Sequence, residues 1–120
     1  MLPNIHRQCY QKFSEVLQQL YKTGDHIPID ALILHDLFLE AQKFFQQQIV
    51  SLDAGDLEAG DESRVRSYQT EISKQLRLLG MDVKFLQAAR QEETVKARQM
   101  QLLERLKMLQ GYCDRILELH

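Results

Sequence analysis

Two cysteines and four histidines are the side chains of this 120-residue chain best suited to holding a metal. His6 and Cys9 stand three residues apart near the start, and Cys113 and His120 lie near the end. Imidazole nitrogen and thiolate sulfur are the usual ligands of tetrahedral zinc, so the four would form a zinc site if the chain ends met. Their spacing follows no established ligand pattern, and free cysteines serve equally well as small buried hydrophobes. The expectation is therefore two buried cysteines, two surface histidines and no metal. The acids Asp53, Asp56, Glu58, Asp61 and Glu62 invite a comparison with calcium sites. They lack the alternating oxygen ligands and central glycine of an EF-hand loop, so a solvated loop is expected.

Covalent and phosphate chemistry leave no trace. The chain contains no GxGxxG, GxxxxGK[ST], HExxH, CxxC or GxSxG. A general acid or base needs a pocket that perturbs its pKa, and no stretch of the sequence indicates one. Neither an enzyme nor a cofactor is expected. What remains is recognition chemistry. Arg98, Arg105, Met108, Tyr112 and Arg115 recur at helical spacing. Arginine, tyrosine and methionine are enriched where proteins meet, so this stripe is the candidate partner-binding site. Leu78, Met81 and Phe85, with Ala89, form a comparable stripe and an alternative interface. For both stripes the competing reading is an ordinary flank of a packed helix.

These stripes must be carried by helices. Only Pro3 and Pro28 occur, so no proline interrupts the last 92 residues. Apolar residues recur every three or four positions in four segments. Ile5, Cys9, Phe13, Val16, Leu17 and Leu20 share one face of a first helix over 4–22, with Asn4 as cap and Gly24 as stop. Leu34, Leu37, Phe38, Ala41, Phe44, Phe45, Ile49 and Leu52 mark a second over 29–52, with Leu32, Leu39 and Val50 left on its other side. Val65, Tyr68, Ile72, Leu76, Leu79, Val83 and Leu86 give a third over 62–89. It passes Gly80 without a change of phase, which marks a glycine at a close contact. Val95, Leu102, Leu106, Leu109, Cys113 and Ile116 give a fourth over 93–118. Its face points about 130° from the continuation of the third, at 100° per residue. A tight turn near Arg90–Glu93 accounts for the reset; one fused helix is the alternative. The fold class expected is all-α, a single antiparallel four-helix bundle spanning 1–120.

Composition sets outer limits. The net charge is -2, so no bulk field favours nucleic acid. Residues 1–60 carry 4 basic and 8 acidic side chains, net -4, whereas residues 61–120 carry 11 and 9, net +2. No apolar run approaches the ~20 residues of a membrane span, and no signal-peptide core is visible. A cytoplasmic location is expected.

Three stretches resemble a known family. MLPNIHRQCYQKF (1–13), LLGMDVKFLQAARQ (78–91) and LQGYCDRILE (109–118) are similar to the cyanobacterial PatD family of heterocyst frequency control proteins. Some members of that family have a proline after the ARQ segment, where this chain has Glu92; a proline there fits a turn. The resemblance implies a non-enzymatic cytoplasmic regulator of cell division. Such a protein would bind the tubulin-like GTPase FtsZ and modulate its assembly, and with it heterocyst frequency. It brings no set of functional residues. A different class of protein fits the unpaired leucines of the second helix: a helical adaptor that mainly self-associates, with a homodimer as its simplest form.

Overall fold

The computed structural model describes residues 2–119 and is built of helices. α1 spans Asn4–Asp25. α2 spans Ala31–Phe44 and continues without a break through a π-helical turn, Phe45–Ile49. After a short 3₁₀ turn at Ala54–Asp56, α3 runs over Ala59–Ala88 and α4 over Glu92–Leu117. Among the described residues there is no strand. The helices alternate in direction, and each packs against its sequence neighbours, with α4 closing the ring against α1. The result is a rod of about 50 × 19 × 18 Å.

Local signals explain most boundaries. The Asp30 carboxylate accepts from the Ile33 amide at 3.1 Å, which satisfies one of the free N–H groups that begin α2. α3 and α4 open on Asp61–Glu62 and Glu92–Glu93, acids that favour the positive end of a helix. The turn expected between the last two helices is present, at 89–91, so the fused helix is excluded. Two caps differ from expectation. Asn4 is the first helical residue, not the cap, and its neighbour Pro3 makes no side-chain bond. Gly24 lies inside α1 and does not stop it. A Cβ there would stand 2.7 Å from Leu102 Cδ2, so this glycine lets α1 and α4 approach closely. α3 also starts three residues earlier than expected, running through Gly60.

One core runs the length of the rod. Leu76, Leu79, Val83, Leu102, Leu106 and Leu109 are all buried in it, as the third and fourth stripes require. At the α1–α2 interface Phe13 packs between Phe44 and Phe45, with ring centroids 6.3 and 5.6 Å away. Gly80 sits where a Cβ would come within 2.7 Å of Phe38 Cζ, the close contact its uninterrupted phase indicated. The first stripe needs correction at its start: Ile5 is exposed, and its neighbour His6 is buried in its place. Tyr10, absent from that stripe, is fully buried and accepts a hydrogen bond from Gln69 Nε2 at 2.7 Å.

Candidate protein-binding surface

The seam between α3 and α4 is set by paired side chains in antiparallel register. Tyr68 packs on Tyr112 with ring centroids 6.2 Å apart. In the middle, the Arg105 guanidinium donates through Nε to Asp82 and through Nη1 to Gln75 Oε1 at 2.7 Å. Nearer the turn, Arg98 lies over the Phe85 ring, 4.5 Å from its centroid. The partners recur every seven residues: Tyr68, Gln75 and Asp82 on α3, Arg98, Arg105 and Tyr112 on α4. Seven residues make nearly two turns, so each row stays on one side of its helix.

This geometry divides the expected arginine stripe. Arg98, Met108 and Arg115 are exposed, whereas Tyr112 is half-buried against Tyr68. Arg105 turns inward to a nearly buried carboxylate, so it serves the α3–α4 interface and is not a free guanidinium on the surface. The alternative stripe fares differently. Met81 and Phe85 are 46% and 42% exposed, Met108 is 46% exposed, and Leu78 is half-buried. The Arg98–Phe85 contact joins the two stripes at the α3–α4 groove, while Met81, one step outward from the inward-facing Asp82, lies on the outer side of α3 beside Phe85. Exposed Arg64 and Lys74 on α3 add positive charge, against Glu71 and Glu104. Arg98 and Arg115 have no carboxylate partner among the described residues.

Sequence reasoning missed Gln75 and Asp82 because both are polar and flank an apolar stripe. Their seven-residue spacing, matched by Arg98 and Arg105, was the available signal. It also missed His6, which is 2% exposed with neither ring nitrogen hydrogen-bonded. His6 borders a cavity of about 40 Å³ with Glu62, Arg66 and Gln69, under the 50–58 segment.

Among the described residues neither metal constellation is brought together. Cys113 is buried and Cys9 half-buried, while His120 lies outside the described residues. No group of three or more potential ligands converges among the described residues. Burial, aided by nearby Asp114, pushes the Cys113 thiol up to about 12, so it stays protonated and is a poor nucleophile at neutral pH. In the acidic loop, Asp53 Oδ1 accepts from the Gly55 amide at 2.8 Å, an ordinary local turn. No described helix is long and apolar enough to cross a membrane.

A family model for the CRR41 C-terminal domain matches residues 7–110. The chain belongs to that family. No curated protein and no solved structure matches it. The matched stretch takes in α1 from Arg7, α2 and α3 whole, and α4 as far as Gln110. This CRR41-family bundle therefore includes, within the matched region, the Asp82–Arg105 pair and all of the exposed surface except Tyr112 and Arg115.

Proposed function

We propose that this chain is a non-enzymatic, cytoplasmic protein-binding regulator that recognises FtsZ and modulates its assembly, as the resemblance to the PatD family implies. The observation that carries the binding role is the exposed surface across the α3–α4 groove. Met81, Phe85 and Met108 supply adaptable apolar contact, and Arg98 and Arg115 are free to meet carboxylates. Methionine suits a surface that must mould to a partner, and arginine gives directed, charge-assisted hydrogen bonds.

The test is sedimentation of FtsZ polymers with and without the protein, read as polymer mass and co-sedimentation. An Arg98→Glu/Met108→Glu variant should lose on the order of 2 kcal/mol of binding, about thirtyfold, if these are hot spots. Its circular dichroism should match wild type, since both side chains are exposed. No effect of the wild type on polymer mass, together with no co-sedimentation, would sink the FtsZ reading. A second reading, a self-associating adaptor, draws on the outer face of α2, where Leu32 is 75% and Leu39 46% exposed.

A further inference from the structure

Two of the uncovered apolar surfaces of the bundle carry opposite charge. On α2, Leu32 and Leu39 lie seven residues apart and so on one side of the helix, two turns from each other. Exposed Asp36 and Glu40 flank them, against a single lysine, Lys43. Across the α3–α4 groove the balance reverses. Arg64, Lys74, Arg98 and Arg115 outnumber Glu71 and Glu104, and Asp82 neutralises Arg105. The chain as a whole has the same polarity, with net -4 over residues 1–60 and net +2 over residues 61–120.

We propose that these surfaces are complementary, and that the outer face of α2 in one copy seats in the α3–α4 groove of a second copy. This rests on the protein-binding reading of that groove. An amphipathic helix laid into an apolar groove is a common recognition mode, anchored by residues one or two turns apart. Here Leu32 and Leu39 are the anchors, Phe85 and Met108 the two walls with Met81 at the outer edge of α3, and the acids of α2 meet Arg98 and Arg115. The 14-residue α2, about 21 Å long, fits along α4, whose 26 residues span about 39 Å. In the ring of helices α4 is diagonal to α2, so the two surfaces face different sides of the rod. A contact between unlike surfaces is head-to-tail, and it leaves each copy with one surface still open. Self-association would also occupy the groove and so compete with any other partner there.

Sedimentation velocity over a range of protein and salt concentrations tests this with two variants. Leu32→Gln/Leu39→Gln removes the anchors, and Met81→Glu/Met108→Glu spoils the groove. All four positions are exposed, so both variants should fold, with circular dichroism as the check. Wild type should form species larger than a dimer as concentration rises, and fewer of them at high salt, which screens exposed charges. Each variant alone should stay monomeric. An equimolar mixture should give a 1:1 dimer that does not grow, because each variant retains the surface the other lacks. A variant that dimerises alone would show a like-with-like interface and overturn the proposal. A wild type that stays monomeric at low salt and hundreds of micromolar, or a monomeric mixture, would also overturn it. FtsZ co-sedimentation is a separate readout: retained by Leu32→Gln/Leu39→Gln and lost by Met81→Glu/Met108→Glu, it upholds the groove as a partner site whatever self-association shows.

Discussion

Removing the arginine of the Asp82–Arg105 pair should be among the most damaging single changes in this protein. The Asp82 and Arg105 side chains are only 7% and 14% exposed. Asp82 accepts from Arg105, and Gln75 accepts from the other prong of the same guanidinium. Arg105→Ala therefore leaves a nearly buried carboxylate without its cation and Gln75 Oε1 without its donor. Breaking a buried pair from one side costs roughly 3–5 kcal/mol, because the remaining charge stays desolvated. A domain of this kind has about 5–15 kcal/mol of stability in total, so the loss should be plain in urea melts followed by circular dichroism. Arg105→Lys should recover only part of it, since an ammonium cannot present two fixed donors to two acceptors. Removing both charges with Asp82→Leu/Arg105→Met should cost far less than the sum of the single changes, a coupling of about 2 kcal/mol or more in the double-mutant cycle. If Arg105→Ala costs under about 1 kcal/mol, the guanidinium is in effect a surface group and the assignment of Arg105 to the interface fails.

Four further outcomes follow from the same packing. Leu106→Ala should lose about 2–5 kcal/mol, since that side chain is fully buried; an unchanged melting temperature would mean the α4 face is misassigned. Gly80→Ala should destabilise by about 1–3 kcal/mol, because the new methyl meets the Phe38 ring, and Phe38→Leu in the same chain should relieve part of that; additive losses would contradict the contact. His6→Leu should raise stability by about 1 kcal/mol, since it replaces two buried nitrogens that lack protein partners; a lower urea midpoint would refute it. Burial holds Tyr10 up at about 12 against an ordinary 10, and Cys113 up at about 12 against 9. Both groups are then neutral in the fold when they would ionise in the unfolded chain. Their contribution is complete below pH 9, shrinks as pH rises toward 12, and amounts to on the order of 3 kcal/mol for Tyr10; flat stability from pH 9 to 11 would count against it.

The fold was legible wherever a helix kept one face apolar along its length. The third and fourth stripes fixed their helices to within a few residues. The phase reset after Leu86 located the turn between them, although no proline or glycine marks it. Legibility failed where a residue's type and its environment disagree. Gly24 carries the local signature of a stop, but its missing side chain is used for close approach of α4. His6 is polar and was assigned to the surface, yet it occupies the core direction of α1, one position from the exposed Ile5. The π-helical turn after Phe44 has no breaker of its own. Phe45 and Ile49 are both buried in it, as the i,i+4 spacing of a helix face already indicates, and nothing in the local sequence marks the wider turn. On the candidate surface the residue types were legible but their directions were not. Arg98 and Arg105 look alike in sequence; a carboxylate seven residues from Gln75 on another helix decides that Arg105 is drawn inward while Arg98 stays exposed over the Phe85 ring.

In the proposed binding role, that difference gives Arg105 an indirect part. The exposed groups of the surface come from two helices, Met81 and Phe85 from α3, Arg98 and Met108 from α4. Their relative placement depends on how α3 and α4 are aligned along their length. Apolar packing alone specifies this weakly, because a stripe of leucines shifted by one turn, about 5.4 Å, again meets leucines. The guanidinium of Arg105 finds both its acceptors in one register only. A shift of one turn would leave Asp82 and Gln75 unpaired in the interior, at the cost of a buried charge. The polar network thus favours the alignment in which Arg98 covers Phe85. Arg105 acts on the proposed binding surface by fixing its geometry, while Arg98, Met108 and Arg115 are its exposed groups.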